Sequence, residues 1–100
     1  MIYIVWRFTA KPARVADFER HYGSDGTWAQ LFRRSPGYHG TTLLRDSSAN
    51  NKYLLWDCWD SLASFERFRQ DHAADYAALD KHCEALTEKE IKLGVFETLT

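Results

Sequence analysis

The sequence has little of several features that define specialised protein classes. It has only two cysteines, and no apolar run approaches the ~20 residues that a membrane-spanning helix needs. The 13 basic and 14 acidic residues are mixed along the chain and give a net charge of −1, so no basic patch marks a surface for nucleic acid or anionic lipid. The N-terminus lacks the charged region and cleavage site of a signal peptide. We therefore expect a cytoplasmic protein that contacts neither nucleic acid nor a membrane.

Motifs for metals and cofactors are also scarce. The four histidines show no His-x₃-His spacing, and the segment Gly23–Gly26 has neither the lysine nor the spacing of a phosphate-binding loop. Cys58 and Cys83 fall in a predicted strand and a predicted helix rather than in stapled loops, which favours buried, reduced thiols. The sequence therefore predicts neither a metal site nor a cofactor site.

The composition is that of one globular domain over residues 1–100. Hydrophobic residues make up 45% of the chain and aromatic residues 15%, which is enough for one core. Alternating and helical spacings of apolar residues predict the order β-α-β-β-α-β, typical of an α+β, ferredoxin-like domain with a four-stranded antiparallel sheet and its helices on one face. The predicted strands are 2–8, 38–45, 53–59 and 91–99, and the helical faces lie within 15–32 and 62–86, with a possible break near 70–71.

The third predicted strand is apolar on both faces, which a half-solvated antiparallel sheet does not need. Its two alternating sets are Leu54, Trp56 and Cys58, and Tyr53, Leu55, Asp57 and Trp59. We expect Trp56 to pack beneath the helices and Trp59 to face a partner. Because the second sheet face would otherwise be bare, we expect a homodimer formed through the sheets.

Three segments resemble one known family. They are Ala10–Pro12 after the first strand, Pro36–Arg45, and Tyr53–Ser61 with Phe65 following. Together they look like the antibiotic biosynthesis monooxygenase (ABM) family of dimeric α/β-barrel proteins, over nearly the whole chain. The resemblance implies a homodimeric barrel with an apolar pocket between sheet and helices. In some members it implies oxidation of quinol-like polycyclic phenols by O₂ without a cofactor.

Other members of that family degrade haem, and the resemblance argues against this activity here. Those members use an Asn on the first strand, a Trp near the second helix region and a His further along it. Trp6 stands where the Asn would be, Phe68 where the Trp would be, and Leu79 or Asp80 near the position of the His. All three positions differ, so we expect no haem chemistry.

The candidate polar residues for a pocket are His72 and Tyr76. They are four residues apart, so on one helix they would share a face, and His72 has the neutral pKa range of a general base for a phenol. The alternative is a surface histidine beside acidic neighbours. His39 is the only histidine in a strand, and it would line either a cavity or the dimer edge.

Asp57 is the one charged residue of its strand. If its face is internal it needs a partner, for which Arg7 and Arg45 are the candidates, and its role is then either a structural ion pair or the orientation of a substrate. The six residues expected to line a pocket are Trp6, His39, Trp56, Asp57, Trp59 and Phe68, with Trp6 and Trp56 as walls for a flat aromatic ligand.

Three functions are compatible with these patterns. The first is a cofactor-independent monooxygenase acting on a small aromatic, quinol-like or polyphenol-like compound. The second is a dimeric module that binds a small aromatic molecule without turnover, and the third is a purely structural dimer.

Overall fold

The computed structural model describes residues 1–99 and confirms the predicted ferredoxin-like α+β fold. The four strands and the main helices follow in the predicted order, with each helical region divided into two segments. The elements are β1 (Ile2–Ala10), α1 (Val15–Tyr22), α2 (Thr27–Phe32), β2 (Tyr38–Arg45), β3 (Lys52–Trp59), α3 (Leu62–Asp71), α4 (Ala73–Cys83) and β4 (Thr87–Glu97).

The sheet has the order β2-β3-β1-β4, and each neighbouring pair is antiparallel. Short 3₁₀ turns precede α1, where Pro12 occupies the first turn, and follow α4. Ser61 caps α3, because its Oγ accepts a hydrogen bond from the Ser64 backbone N–H at 3.1 Å. The break between α3 and α4 falls at His72, whose φ of −123° and ψ of 33° are not helical.

The core between the sheet and the helices is largely aromatic. Trp59 is completely buried at its centre, with its ring centroid 5.2 to 5.5 Å from those of four neighbours. Those four rings belong to Phe32, Tyr38, Phe65 and Phe68. The expectation that Trp59 faces a partner subunit, with Trp56 beneath the helices, is therefore wrong.

Pairing with β1 explains why the faces of β3 are the reverse of those expected. Ile2 lies opposite Trp59 and Ile4 opposite Asp57, and directly opposed residues in an antiparallel pair point to the same side. Ile4 is buried under the helices, so Asp57 and Trp59 are buried there with it. Trp56, opposite Val5, lies on the other face and is only half-buried.

The last strand also departs from its predicted pattern. It begins at Thr87 and ends at Glu97, and its register with β1 shifts between Val5 and Trp6. Gly94, next to this bulge, has a φ of +148°, a conformation that a residue with a side chain rarely adopts. As a result Ile91 and Val95, which regular alternation would place on one face, lie on opposite faces, opposite Arg7 and Ile4 respectively.

The sheet face away from the helices is open and partly apolar. Among the large side chains there, Phe96 is 52% exposed and Ile91 46% exposed, with Trp56 and Val5 half-buried beside them. Within residues 1–99, no helix has both the length and the apolar character needed to cross a membrane.

Candidate functional site

A cleft opens between α4, β4 and the helix-facing side of the sheet. Its accessible space is about 40 Å³, room for roughly two or three water molecules. Buried side chains form its floor, and the exposed Asp80 and Glu90 form its rim. The full lining is Trp6, Phe8, Tyr22, Trp28, Phe32, Thr41, Leu55, Asp57, Tyr76, Asp80 and Glu90.

Asp57 is the buried ionisable group on the floor of this cleft. It is only 8% exposed, and burial raises the pKa of its carboxyl to about 6. Neither Arg7 nor Arg45, the partners expected from the sequence, reaches it: Arg7 is exposed, and Arg45 lies 3.5 Å from Glu19. Asp57 accepts one hydrogen bond, on Oδ1, and its Oδ2 has no protein partner within residues 1–99.

A chain of two hydroxyl groups supports Asp57. The Thr41 hydroxyl donates to Asp57 Oδ1 at 2.6 Å, and the Tyr38 hydroxyl lies 2.5 Å from Thr41 Oγ1. Because the Thr41 proton is directed to the carboxylate, Tyr38 is the donor to Thr41. The bond from Thr41 favours the ionised carboxylate and partly offsets the rise in the pKa of Asp57.

The strand register brings this chain of donors together. Thr41 lies directly opposite Asp57 in the β2–β3 pair, so both side chains point to the helix side. A register shift between Tyr38 and Gly40, where Gly40 has a φ of +127°, precedes Thr41. It lets Tyr38 and Thr41, which are three residues apart in a strand, point to the same side.

Tyr76 forms part of the wall between floor and rim. Its ring packs at 5.0 Å, edge to face, against Trp28, and the Arg69 guanidinium lies 4.5 Å from its centroid. Burial raises the pKa of the Tyr76 hydroxyl, and the carboxylates of the cleft raise it further. Tyr76 is part of the cleft lining.

His72, the expected companion of Tyr76, lies elsewhere. It stands at the junction of α3 and α4, with its ring 5.0 Å from that of Phe68. Both His72 and Phe68 border a separate surface groove beside Pro36 and Arg67. The helix break at His72 thus directs the two side chains to different sites.

The other expected lining residues divide between the two faces of the sheet. Trp6 lines the cleft, but Trp56 lies on the open face, so the two tryptophans do not wall one cavity. Trp59 belongs to the core beside the cleft, and His39 is exposed outside it.

Several residues of the site went unrecognised in the sequence, among them Tyr38, Thr41, Asp80 and Glu90. Asp80 follows Tyr76 by four residues in α4, a spacing that places both on one helix face. Thr41 and Glu90 join the site only through strand pairing, which single-strand patterns do not reveal.

The arrangement offers a proton-accepting carboxylate on the floor of a largely aromatic cleft. A carboxylate whose pKa is about 6 is mostly ionised at neutral pH, yet it is a stronger base than an exposed aspartate. Asp57 belongs to the lining of a mostly apolar space, and its Oδ2 has no protein partner within residues 1–99. Among residues 1–99, no three His, Cys, Asp or Glu side chains are grouped as metal ligands.

The chain is similar to known proteins in both sequence and structure. The sequence model of antibiotic biosynthesis monooxygenases matches residues 1–78. The structure of a mutant of SnoaB, a cofactor-independent oxygenase from Streptomyces nogalater, is similar with a TM-score of 0.82 and 26% identity, over 99% of this chain and 93% of that one. An ABM-type protein from Bordetella bronchiseptica gives a TM-score of 0.75 and 25% identity, over 99% and 97% of the two chains.

A more distant structure, PA3566 from Pseudomonas aeruginosa, shares the fold at 17% identity, with a TM-score of 0.70 over 97% of this chain and 93% of that one. No functionally curated protein sequence is matched by the chain.

Proposed function

The chain belongs to the antibiotic biosynthesis monooxygenase family, and on that premise we propose that it is a cofactor-independent monooxygenase of a small aromatic hydroxyl compound, quinol-like or polyphenol-like. Asp57 is the general base of this proposal. The similarity to SnoaB, a cofactor-independent oxygenase, supports the reaction class.

The observation that carries the proposal is the position of Asp57. Asp57 is an ionisable group buried on the floor of an aromatic cleft, with one oxygen free and a pKa of about 6, so it can accept a phenolic proton as a stronger base than an exposed aspartate. Thr41 and Tyr38 are positioning residues, because they act through Asp57: Thr41 donates to the carboxylate and Tyr38 donates to Thr41.

The chemistry balances without a cofactor. Asp57 takes the phenolic proton, and the phenolate transfers one electron to O₂. The resulting phenoxyl radical and superoxide combine at a ring carbon that carries a hydrogen, and Asp57 returns its proton to the peroxide to form a hydroperoxide. Loss of water then leaves a carbonyl, so one quinol and one O₂ yield one hydroxyquinone and one water. The substrate supplies all the electrons, which is why neither metal, flavin nor haem is required.

The cleft must widen to admit such a ring. Its accessible space of about 40 Å³ is well below the ~300 Å³ at the lower end of ligand pockets. Tyr76 is half-buried near the opening, and rotation of its side chain away from Trp28 would enlarge the cleft.

The assembly that we propose is a homodimer formed through the open sheet faces. Its support is the apolar surface on that face, including the half-exposed Phe96 and Ile91. The cleft lies on the opposite side of the sheet, so pairing through that face leaves the cleft accessible. The free thiols of Cys58 and Cys83 fit the cytoplasmic location expected from the sequence.

Oxygen uptake tests the proposal. The purified, chelator-treated protein should accelerate O₂ consumption with at least one member of a quinol and polyphenol panel. Asp57→Asn should lower kcat by about 100-fold or more, the usual contribution of a general base. Thr41→Val should shift the acidic limb of the kcat/KM profile to higher pH, because it removes a bond that lowers the pKa of Asp57, and Asp57 must be ionised to act as the base.

His72→Ala distinguishes the two candidate bases, and Asp71→Asn serves as an exposed control. We expect both to retain the wild-type rate. A rate abolished by His72→Ala and unaffected by Asp57→Asn would refute Asp57 as base. Protein that matches the buffer blank across the panel, yet gains thermal stability from the same compounds, would instead be a binding module.

A further inference from the structure

The charge in the cleft is entirely of one sign. Its ionisable side chains besides the tyrosines are Asp57, Asp80 and Glu90, and no Lys, Arg or His contributes to its lining. Within residues 1–99, the Asp80 and Glu90 carboxylates make neither a hydrogen bond nor a salt bridge. Burial raises the pKa of Glu90, and repulsion from Asp80 adds to the rise.

The cations of the surrounding elements lie outside this lining. Arg34 pairs with Asp75 at 2.6 Å, and Arg69 lies over the ring of Tyr76. Lys92, opposite Trp6 in the β1–β4 pair, makes no salt bridge among the described residues. The cleft lining therefore contains three carboxylates and no cation, although Arg69 contacts one lining residue, Tyr76.

The walls are aromatic as well as acidic. Trp6, Trp28 and Tyr76 line the cleft together with Tyr22, and the faces of such rings attract organic cations. The floor adds a second, independent indication of a ligand, because Asp57 is buried there with Oδ2 unpartnered.

Tyr76 shows what this environment does to a phenol. After burial, the carboxylates Asp80, Asp57 and Glu90 all raise the pKa of its hydroxyl, against the lowering effect of Arg69. A phenolate formed on a substrate in the same cleft meets the same repulsion. A positive charge on the substrate itself would offset that repulsion.

We infer that the cleft selects aromatic hydroxyl compounds that also carry a protonated amine, with the ring between Trp6, Trp28 and Tyr76 and the ammonium group at the Asp80 and Glu90 rim. This inference rests on the proposed function for the choice of an aromatic hydroxyl ligand. It adds that the substrate carries a positive charge, which the proposed oxidation does not itself require.

A matched pair of probes tests the inference. Tyramine and 4-ethylphenol share a phenol ring and a two-carbon chain and differ by the ammonium group. Under anaerobic conditions at pH 7 and low salt, tyramine should bind about tenfold or more tightly than 4-ethylphenol by calorimetry, and less so as salt rises. In the double variant Asp80→Asn, Glu90→Gln, the two affinities should become nearly equal.

Glu66→Gln is the matched control, because Glu66 is exposed on α3 and outside the cleft lining. It should keep the wild-type preference for tyramine. Equal affinities in the wild type, tighter binding of 4-ethylphenol, no binding of tyramine at millimolar concentration, or a preference that survives the double variant would each overturn the inference.

Failure here is distinct from failure of the proposed function. Anaerobic binding does not depend on turnover, so selective binding of tyramine by a protein without O₂ uptake would keep the charge requirement and refute the oxygenase. Rapid O₂ uptake with neutral quinols, by a protein that binds tyramine and 4-ethylphenol equally, would keep the oxygenase and refute the charge requirement.

Discussion

Replacement of Asp57 by Asn should make the protein more stable than the wild type at neutral pH. This gain in the free energy of unfolding should be smaller at acid pH. The carboxyl is held in the fold with a pKa near 6, whereas in the unfolded chain it titrates near its ordinary value of about 4. Between these values the folded state keeps a proton that the unfolded state has released. The stability of the wild type therefore falls as pH rises through that window.

The magnitude follows from the size of the rise. A difference of about two pH units corresponds to about 3 kcal/mol between the protonated and ionised forms. The Asn side chain stays neutral and keeps an oxygen that can accept from Thr41, so it avoids this cost. The free energy of unfolding of Asp57→Asn minus that of the wild type should thus increase by about 2 to 3 kcal/mol from pH 4 to pH 7.5.

Urea denaturation at several pH values, at one protein concentration, measures this difference directly. The quantity of interest is its slope with pH, because a constant offset from amide packing cancels. Asp71→Asn, an Asp-to-Asn change at an exposed position, is the control with which the slope of Asp57→Asn is compared. If the difference in unfolding free energy between Asp57→Asn and the wild type does not change with pH, or grows as pH falls, the raised pKa of Asp57 is refuted. The proposal of Asp57 as general base is then refuted with it.

Two further changes test the packing and the assembly. Trp59→Ala should lower the free energy of unfolding by about 3 to 5 kcal/mol, and Trp56→Ala by clearly less, because only Trp59 is fully buried among aromatic rings. The reverse order in urea denaturation would contradict the assignment of the two faces. On the open face, Phe96→Asp should lower the mass measured by light scattering from about twice 11.7 kDa toward 11.7 kDa, the mass of one chain. Glu66→Gln, a change at an exposed residue of α3, should leave the mass unchanged. A wild type that is monomeric at micromolar concentration would refute the homodimer.

Part of the candidate site was visible in the sequence. Asp57 stood out as a lone charge in an apolar strand, and Trp6 and Tyr76 were expected in a pocket that they do line. The pairing of Tyr76 with His72 assumed one continuous helix. The helix breaks at His72, and the two side chains consequently diverge.

The local sequence pattern does not predict which face of β3 packs against the helices. Alternation separates Trp56 from Trp59, but when both sets are apolar it does not say which set meets the helices. The register with β1 decides this, because Trp59 lies opposite Ile2 and Asp57 opposite Ile4. That information is carried by residues about fifty positions away in the chain.

The order of elements, the class of fold and the presence of one unusual carboxylate were determined by the sequence alone, since periodicity and composition are local properties. The tertiary structure decided what surrounds that carboxylate. Strand pairing set Thr41 beside Asp57 and Glu90 at the opening of the cleft, and helix packing set Tyr76 and Asp80 on the other side. Burial and the neighbouring hydroxyl, which together set the pKa of Asp57, exist only when those distant segments meet.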